Sequence, residues 1–307
     1  MKNRTLSKVT TQSDILQAFS DALVSVVNNA SPSVVQVSSG RGLGTGVVWD
    51  SDVHIVTNNH VLGRSNKIEV TFSNGETFPA SIVGQDRFSD IAVLKVEEGK
   101  VPEAKAIQRG ESNGLSTGQF VIALANPFGA NVSAASGIIT NPSGKMGGPW
   151  TEGMIVTDVR LNRGYSGGPL LDAKGRMIGM NAAYFANRGL AIPVSVLSTV
   201  ASELVNKGSV RRAYLGIVSN PISLPEDLAK ELGQSECLIV LSVEQGTPAK
   251  KAGVSIGDII VRLDSKKVEN YADLYKLLSS GLIGKETSLS VLRGEKITEL
   301  KIVPTEA

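Results

Sequence analysis

The chain has 307 residues, of which 41% are hydrophobic and 20% charged, and its formal net charge at pH 7 is +2. This is the composition of an ordinary globular protein, and the near balance of charge argues against a basic surface for nucleic acid or anionic membrane. A length of this order predicts about two domains of roughly 150 residues each. The single cysteine, Cys237, excludes an intrachain disulfide, and its apolar neighbours predict a small core residue.

The N-terminal segment, residues 1–30, is predicted to contain one amphipathic helix over residues 13–29. Its apolar residues recur at steps of three and four: Leu16, Phe19, Leu23 and Val26. The basic residues near Met1 are not followed by the roughly 7–15 apolar residues of a secretory signal, and no run approaches the ~20 of a membrane span. We therefore predict no membrane span and a cytoplasmic location. An exported or membrane-associated protein is the alternative if a leader has been trimmed.

Residues 31–207 are predicted to be mainly β structure. Short β-branched runs separated by turn residues follow one another from Val34 to Asn181, without long helical patterns between them. This pattern favours an all-β barrel or sandwich. The segment ends in a predicted helix over residues 193–207, which Gly208 terminates.

A histidine and an aspartate stand at the ends of predicted strands in the first half of this segment. His60 follows a β-branched run and two asparagines, and Asp90 immediately precedes an apolar strand. His60 is the candidate general base and Asp90 the candidate residue that orients it, with Asp86 as the competing acid. His54, the only other histidine in the chain, is expected to be structural or exposed.

A serine among glycines stands in the second half, in the string Arg-Gly-Tyr-Ser-Gly-Gly-Pro-Leu at residues 163–170. Glycine permits the torsions that bring backbone N–H groups close to a reacting oxygen. Ser166 is therefore the candidate nucleophile, and the N–H groups of Gly164 and Ser166 form the candidate oxyanion hole. Taken alone, the string is also compatible with an ordinary turn serine. The order His, Asp, Ser is one of several in which the catalytic triad has arisen on unrelated folds.

Residues 208–307 alternate between strand and helix patterns and are predicted to form a second, α+β domain. Gly208 and Ser209, followed by Arg211 and Arg212, are predicted to form a short linker, and the apolar strands and short helices begin after it. This domain contains none of the three candidate catalytic residues.

Four strings in the first segment resemble the HtrA (Deg) family of serine proteases. They are Thr-Asn-Asn-His-Val at 57–61, Ser-Asp-Ile-Ala-Val-Leu at 89–94, Asn-Pro-Phe-Gly at 126–129 and Gly-Tyr-Ser-Gly-Gly-Pro-Leu at 164–170. The strings Tyr-Leu-Gly-Ile at 214–217 and Thr-Pro-Ala through Asp-Ile-Ile at 247–260 resemble a PDZ domain as that family carries it. The resemblance extends from about residue 12 to residue 304. It implies a mainly β, trypsin-like double barrel with the triad at the junction of the barrels, followed by an α+β PDZ domain.

The same resemblance implies two binding sites. Segments that line the primary specificity pocket in the family are matched here by Leu161, Ala183, Tyr184 and Leu190, an apolar set that suits aliphatic side chains. The carboxylate-binding loop of the PDZ domain is matched by Tyr214, Leu215, Gly216 and Ile217. Residues 141–152 match the loop that couples the PDZ domain to the active site in the family.

The activity implied is that of an ATP-independent serine endopeptidase for unfolded or misfolded polypeptides, gated by PDZ binding of peptide C-termini. N-terminal segments assemble trimers in the family, which implies a homotrimer or higher oligomer with Phe19 at a subunit contact. The sequence has no phosphate-binding glycine motif and no cluster of histidine and cysteine. We therefore predict no cofactor, no metal and no nucleic-acid partner.

Tyr165 departs from the family, in which Asn or Ser commonly precedes the nucleophile. This departure leaves open an alternative, a proteolytically weak or inactive peptide-binding chaperone or adaptor. A protease with narrow regulatory substrates is a further alternative.

Overall fold

The computed structural model describes residues 12–40, 42–63, 67–96, 104–129, 131–144, 153–278 and 280–306. The chain divides into two compact units. The first contains the described residues up to Pro142 and those of Met154–Ser209. The second contains the described residues from Val210 onward, to which Ser143, Gly144 and Gly153 are assigned. Most of the predicted loop at 141–152 lies outside the described residues.

Six antiparallel strands close into the first barrel: β1 (Val34–Ser39), β2 (Gly42–Val48), β3 (His54–Asn58), β4 (Ile68–Thr71), β5 (Thr77–Asp86) and β6 (Ile91–Val96). Their order around the barrel is β1-β2-β3-β6-β5-β4. Val35, Val37, Ile55 and Leu94 belong to the core that these strands enclose. The outer face of β6 is also covered, which explains why its sequence is a continuous apolar run rather than an alternating one.

Six further strands close the second barrel of the first unit: β7 (Phe120–Ala125), β8 (Ser133–Asn141), β9 (Ile155–Thr157), β10 (Pro169–Asp172), β11 (Met177–Phe185) and β12 (Arg188–Pro193). Their order is β10-β11-β12-β9-β8-β7. Strand β12 is not predicted from the sequence. The turn that joins it to β11 places Ala186 and Asn187 at φ values of 49° and 62° without a glycine, so it lacks the usual hairpin signal.

In the described part of this unit, three α-helices accompany the barrels: α1 (Gln12–Ala30), α2 (Asn59–Leu62) and α3 (Val194–Lys207). Helix α1 agrees with the predicted helix, and its Phe19 ring meets the Phe120 ring edge-on at 5.7 Å. Helix α3 covers β5 and β6 and buries Leu197 and Leu204. Among the described residues, no helix is both long enough and apolar enough to cross a membrane.

The second unit contains strands and helices in the order β13 (Ala213–Tyr214), β14 (Ile217–Ser223), α4 (Glu226–Leu232), β15 (Glu236–Val243), α5 (Pro248–Lys251), β16 (Ile259–Leu263), β17 (Lys266–Lys267), α6 (Tyr271–Leu277), β18 (Thr287–Arg293), β19 (Lys296–Ile302) and β20 (Thr305–Glu306). The main sheet runs β14-β15-β16-β18-β19, with β17 paired to β16, and β13 pairs with β20. Strand β14 is therefore an edge strand. Helix α4, which the sequence does not predict, packs Leu232 near the fully buried Cys237, the core residue that the sequence predicts.

Candidate active site

His60 and Asp90 form a hydrogen-bonded pair at the edge of the first barrel. His60 lies in α2, directly after β3, and Asp90 lies directly before β6, the strand that pairs with β3. The Asp90 carboxylate contacts His60 Nδ1 at 2.7 Å with one oxygen and accepts the His60 backbone N–H at 2.9 Å with the other. A carboxylate can only accept, so Nδ1 carries a proton, and in the neutral imidazole the lone pair is then on Nε2. This is the tautomer that a general base requires.

The backbone of Asp90 supports this arrangement. Asp90 has a φ of 56°, a left-handed conformation that aspartate adopts more readily than most residues. Its carbonyl accepts hydrogen bonds from the Asn58 side chain at 3.0 Å and the Asn59 N–H at 3.1 Å. The two asparagines before His60 therefore fix the backbone of Asp90, the residue whose carboxylate bonds to His60.

The competing acid, Asp86, binds its own loop. Its carboxylate accepts hydrogen bonds from the Ser89 hydroxyl at 2.6 Å and from the Phe88 N–H at 3.3 Å. The second histidine, His54, contacts Asp50 at 2.8 Å through Nδ1, and its side chain is 12% exposed. The structure thus pairs His60 with Asp90 and gives Asp86 and His54 other partners.

Ser166 and the helix that carries His60 pack against the same strand, β2. A Cβ built on Gly44 would lie 2.6 Å from a Val61 methyl group and 3.1 Å from the Ser166 carbonyl oxygen. Only a residue without a side chain allows both segments to approach β2 this closely. Strand β2 of the first barrel therefore brings the segment after His60 and the nucleophile loop together.

The Ser166 hydroxyl donates a hydrogen bond to the Ala182 carbonyl at 3.0 Å. A carbonyl cannot donate, so the hydroxyl proton points at Ala182 in this structure. Attack on a substrate requires that proton to turn toward His60. Catalytic hydrogen bonds often form only when substrate is in place, so this resting arrangement is compatible with the role predicted for Ser166.

Of the backbone N–H groups from Gly164 to Gly168, two have no hydrogen-bond acceptor among the described residues. The Tyr165 N–H donates to Asn162 at 3.2 Å and the Gly167 N–H to Asn181 at 2.8 Å. Within the described part of the chain, the N–H groups of Gly164 and Ser166 have no backbone or side-chain acceptor. Those two groups are the donors predicted for the oxyanion hole, and both are available to a ligand.

Tyr165, the residue that departs from the family, is built into the second barrel. Its side chain is 5% exposed and packs in a cluster that includes Val159, Leu161 and Leu170. Burial raises the pKa of its hydroxyl, so the side chain is neutral wherever a histidine titrates. The ring therefore anchors the loop in the barrel core and adds no charge to the site.

A cavity of about 210 Å³ lies beside Ser166. Three of the four predicted pocket residues line it. Leu190 is not among the lining residues: it is 4% exposed on β12, where it pairs with Ala183, which does line the cavity. The pocket prediction also misses three lining residues before the nucleophile, Asn162, Arg163 and Tyr165. The lining residues are Leu161, Asn162, Arg163, Tyr165, Ser166, Ala183 and Tyr184. None of these is acidic.

The second unit contains the loop predicted to bind a carboxylate. Gly216 has a φ of 82°, and a Cβ there would lie 2.3 Å from Thr247 Cβ. The carbonyls of Leu215 and Gly216 are held by the N–H groups of Ala249 and Glu244, each at 2.9 Å. Within the described residues, the N–H groups of Leu215 and Gly216 donate no backbone hydrogen bond.

The other two residues of that loop belong to strands. Tyr214 lies on β13, and its hydroxyl donates to the Glu244 carboxylate. Ile217 begins the edge strand β14 and packs against the core that also contains Leu215 and Leu274 of α6. Two adjacent free N–H groups at the start of an edge strand can bind a chain terminus that pairs with that edge.

Comparison with known proteins finds a match for the barrels of the first unit and another for the second unit. The model for a trypsin-like peptidase domain matches residues 44–180, and that for a PDZ domain matches residues 214–303. The chain is 35% identical to Protease Do-like 1, chloroplastic, of Arabidopsis thaliana, over 85% of this chain and 63% of the relative. It is 34% identical to a probable periplasmic serine endoprotease DegP-like of Pseudomonas fulva, over 85% of this chain and 55% of that protein. It thus spans between half and two thirds of the length of each relative.

Solved structures with the same fold include the HtrA-type protease AlgW with tripeptide. That structure has a TM-score of 0.78 and 30% sequence identity and covers 92% of this chain and 97% of its own. AlgW with decapeptide has a TM-score of 0.74 at 27% identity, over 92% of this chain and 98% of its own. Both the barrels and the second unit of this chain thus have counterparts in one solved fold.

The cytoplasmic location predicted from the sequence is wrong. The relatives are named for the periplasm and the chloroplast. The prediction rests only on the lack of an apolar stretch after Met1, which does not determine where a mature chain resides.

Proposed function

Because this chain belongs to the HtrA (Deg) family of serine proteases, we propose that it is an ATP-independent serine endopeptidase for unfolded or misfolded polypeptides. The observation that carries the proposal is the bond of His60 Nδ1 to Asp90, which places the lone pair of the neutral imidazole on Nε2. The same unit presents the free N–H groups of Gly164 and Ser166. These are the parts that acyl transfer requires.

In the proposed reaction, Ser166 Oγ attacks the peptide carbonyl carbon and His60 Nε2 takes the hydroxyl proton. Asp90 stabilises the imidazolium that forms, and the N–H groups of Gly164 and Ser166 bind the oxyanion. The C–N bond then breaks, and the leaving amine takes the proton from His60. Water then attacks the acyl carbon while His60 takes its proton. The ester bond to Ser166 Oγ breaks, the carboxylic acid product leaves, and His60 returns the proton to Oγ.

The cavity beside Ser166 supports a preference for aliphatic side chains on the acyl side of the cleaved bond. Leu161 and Ala183 supply apolar surface, whereas Arg163 is the charged lining residue. A cation at the cavity and the lack of an acid among its described lining residues disfavour Lys and Arg in the substrate.

The direct test is digestion of β-casein, which is unfolded, and of a stably folded protein of similar length. We expect fragments from casein alone, with equal rates in the presence and absence of ATP. Mass spectrometry of the fragments is expected to place Val, Leu, Ile or Ala before most cleaved bonds. Equal digestion of the folded protein, or a rate that requires ATP, would contradict the proposed substrate class.

We further propose that the second unit binds peptide C-termini and that this binding gates the protease. The support is the pair of free N–H groups at Leu215 and Gly216, beside the edge strand β14. An added peptide strand would take its main-chain hydrogen bonds from that edge and place its carboxylate on the two N–H groups. Addition of such a peptide is then expected to change the rate of casein cleavage.

Gly216→Ala is expected to weaken peptide binding by more than tenfold, because the new Cβ would collide with Thr247 and displace the loop. The measurement is fluorescence polarisation with labelled decapeptides that end in Val, Leu or Phe. The matched control is Gly294→Ala, at a glycine with a φ of 63° and nothing within 4 Å of a new Cβ. Equal affinity of both variants, or of peptides with an amidated C-terminus, would contradict the assignment.

We propose a homotrimer or higher oligomer that works in an exported compartment, the kind of location for which the relatives are named. The support for assembly is the apolar surface of α1, where Ile15, Leu16 and Phe19 are each more than half exposed. Light scattering in solution measures the mass directly, and a monomer would contradict the proposal.

A further inference from the structure

Thr45, on β2 of the first barrel, is a fully buried polar residue whose hydrogen bonds converge on the nucleophile loop. Its N–H donates to the Ser166 carbonyl at 2.8 Å, and its hydroxyl donates to the Gly164 carbonyl at 2.6 Å. The hydroxyl oxygen also accepts the Asn126 N–H at 2.9 Å. The Thr45 carbonyl in turn accepts the Thr57 hydroxyl at 2.7 Å.

The other hydrogen bond of the Thr45 hydroxyl shows that it is the donor in its bond to the Gly164 carbonyl. An N–H group can only donate, so the Asn126 N–H takes a lone pair of the Thr45 hydroxyl. The hydroxyl proton is therefore committed to the Gly164 carbonyl, which can only accept. Serine can reproduce both bonds, whereas valine, of nearly the same shape, can make neither.

These bonds complete the restraint of the loop. The carbonyl of Tyr165 accepts the Gly168 N–H at 3.0 Å, and the Gly167 N–H is bound to Asn181. Thr45 holds the carbonyls of Gly164 and Ser166, the two residues whose N–H groups are left unpaired. Each of the three successive peptide groups from residue 164 to residue 167 is thus fixed through a carbonyl. The middle group carries the Ser166 N–H, and the group that carries the Gly164 N–H directly precedes the first.

The loop from residue 164 to residue 167 packs so closely on β2 that no other group can take the place of the Thr45 hydroxyl. A Cβ on Gly167 would lie 1.9 Å from the Thr45 carbonyl, so the loop lies directly on β2. A hydroxyl lost from this interface would leave the Gly164 carbonyl and the Asn126 N–H buried without a partner. Such groups regain partners by moving. Once the Gly164 carbonyl is released, the 164–165 peptide group is held only by the hydrogen bond from the Tyr165 N–H to Asn162 at 3.2 Å.

We propose that the Thr45 hydroxyl is a positioning group of the oxyanion hole. From the neighbouring barrel it fixes the 164–165 peptide group, which joins the peptide group that carries the Gly164 N–H to the one that carries the Ser166 N–H. The inference rests on the proposed endopeptidase function and deepens it. Thr45 does not touch substrate. It acts through the peptide group that follows Gly164, so its loss should affect the transition state more than substrate binding.

The test compares Thr45→Val with Thr45→Ser in steady-state cleavage of a fluorogenic peptide, with the melting temperature of each variant measured alongside. We expect Thr45→Val to lower kcat by about 10- to 100-fold, somewhat less than the loss of an oxyanion donor itself, while KM changes by less than about threefold. Thr45→Ser should keep kcat within about threefold. A peptide boronate, which forms a tetrahedral adduct, should lose affinity for Thr45→Val by the same factor as kcat.

The matched control is Thr157→Val, which removes another buried hydroxyl with two backbone partners, the Gly189 carbonyl and the Val159 N–H. It should lower the melting temperature to a similar degree and keep kcat within about threefold. If Thr45→Val does not fold, Thr45→Ala replaces it with the same expected loss. A normal kcat in the folded variant, or equal losses at Thr45 and Thr157, would overturn the inference while wild-type cleavage would still support the endopeptidase. Absence of cleavage by the wild type would instead contradict the proposed function.

Discussion

Ser166→Ala is expected to abolish cleavage of casein, with a fall in kcat of about 10⁶-fold, the loss found when a triad nucleophile is removed from a serine protease. The substitution deletes one half-buried hydroxyl whose hydrogen bond is to the Ala182 carbonyl. No other described side chain loses a partner, so the fold and the melting temperature should be retained. Cleavage is measured by gel and by a fluorogenic peptide, and the fold by circular dichroism.

The matched control is Ser112→Ala, which removes a hydroxyl bonded to Ser195 at 2.9 Å, away from the candidate site. Its cleavage rate should equal that of the wild type. Undiminished proteolysis by Ser166→Ala would rule out Ser166 as the nucleophile. If the wild type and Ser166→Ala both fail to cleave yet suppress aggregation of an unfolded protein equally, the chaperone or adaptor alternative is supported instead.

Asp90→Asn is expected to lower kcat by about 10⁴-fold, because it reverses the tautomer of His60. An asparagine amide placed at the Asp90 carboxylate donates to Nδ1, which moves the imidazole proton to Nε2 and removes the base. The remaining amide oxygen can still accept the His60 N–H, as Asp90 does now at 2.9 Å. Asparagine also tolerates the φ of 56° at this position, so the backbone should not change.

The chain offers a control of the same chemistry in its second histidine pair. Asp50→Asn alters the partner of His54, which Asp50 contacts at 2.8 Å, and its kcat should stay within about threefold of the wild type. The kcat of both variants is measured with the same peptide, and the melting temperature separates chemistry from stability. A fall of less than tenfold for Asp90→Asn, or an equal fall for both, would show that Asp90 does not set the tautomer.

The candidate catalytic residues could be predicted because each has a local signature. His60 and Asp90 stand at the ends of β-branched or apolar runs, and Ser166 stands among glycines that a close backbone approach demands. These features depend on neighbours in the chain, which a sequence displays directly. The two-barrel architecture is confirmed by the fold and by the family matches.

What could not be predicted depends on contacts between distant segments. Leu190 pairs across β11 and β12 with Ala183, which lines the cavity, and only the structure shows that Leu190 itself is 4% exposed and is not a lining residue. Thr45 stands in a glycine-rich string without a recognisable binding motif, and its partner Gly164 is 119 residues away. Tyr165 likewise shows its role only when its ring is placed in the core of the second barrel.

The most direct measurement is reaction with a fluorophosphonate, because this probe modifies a serine only when a base and an oxyanion hole activate it. The wild type should carry one adduct, which peptide mapping assigns to Ser166, and Ser166→Ala should carry none. Asp90→Asn should react far more slowly than the wild type. A folded wild-type protein that remains unlabelled, or an adduct on a different serine, would contradict the account.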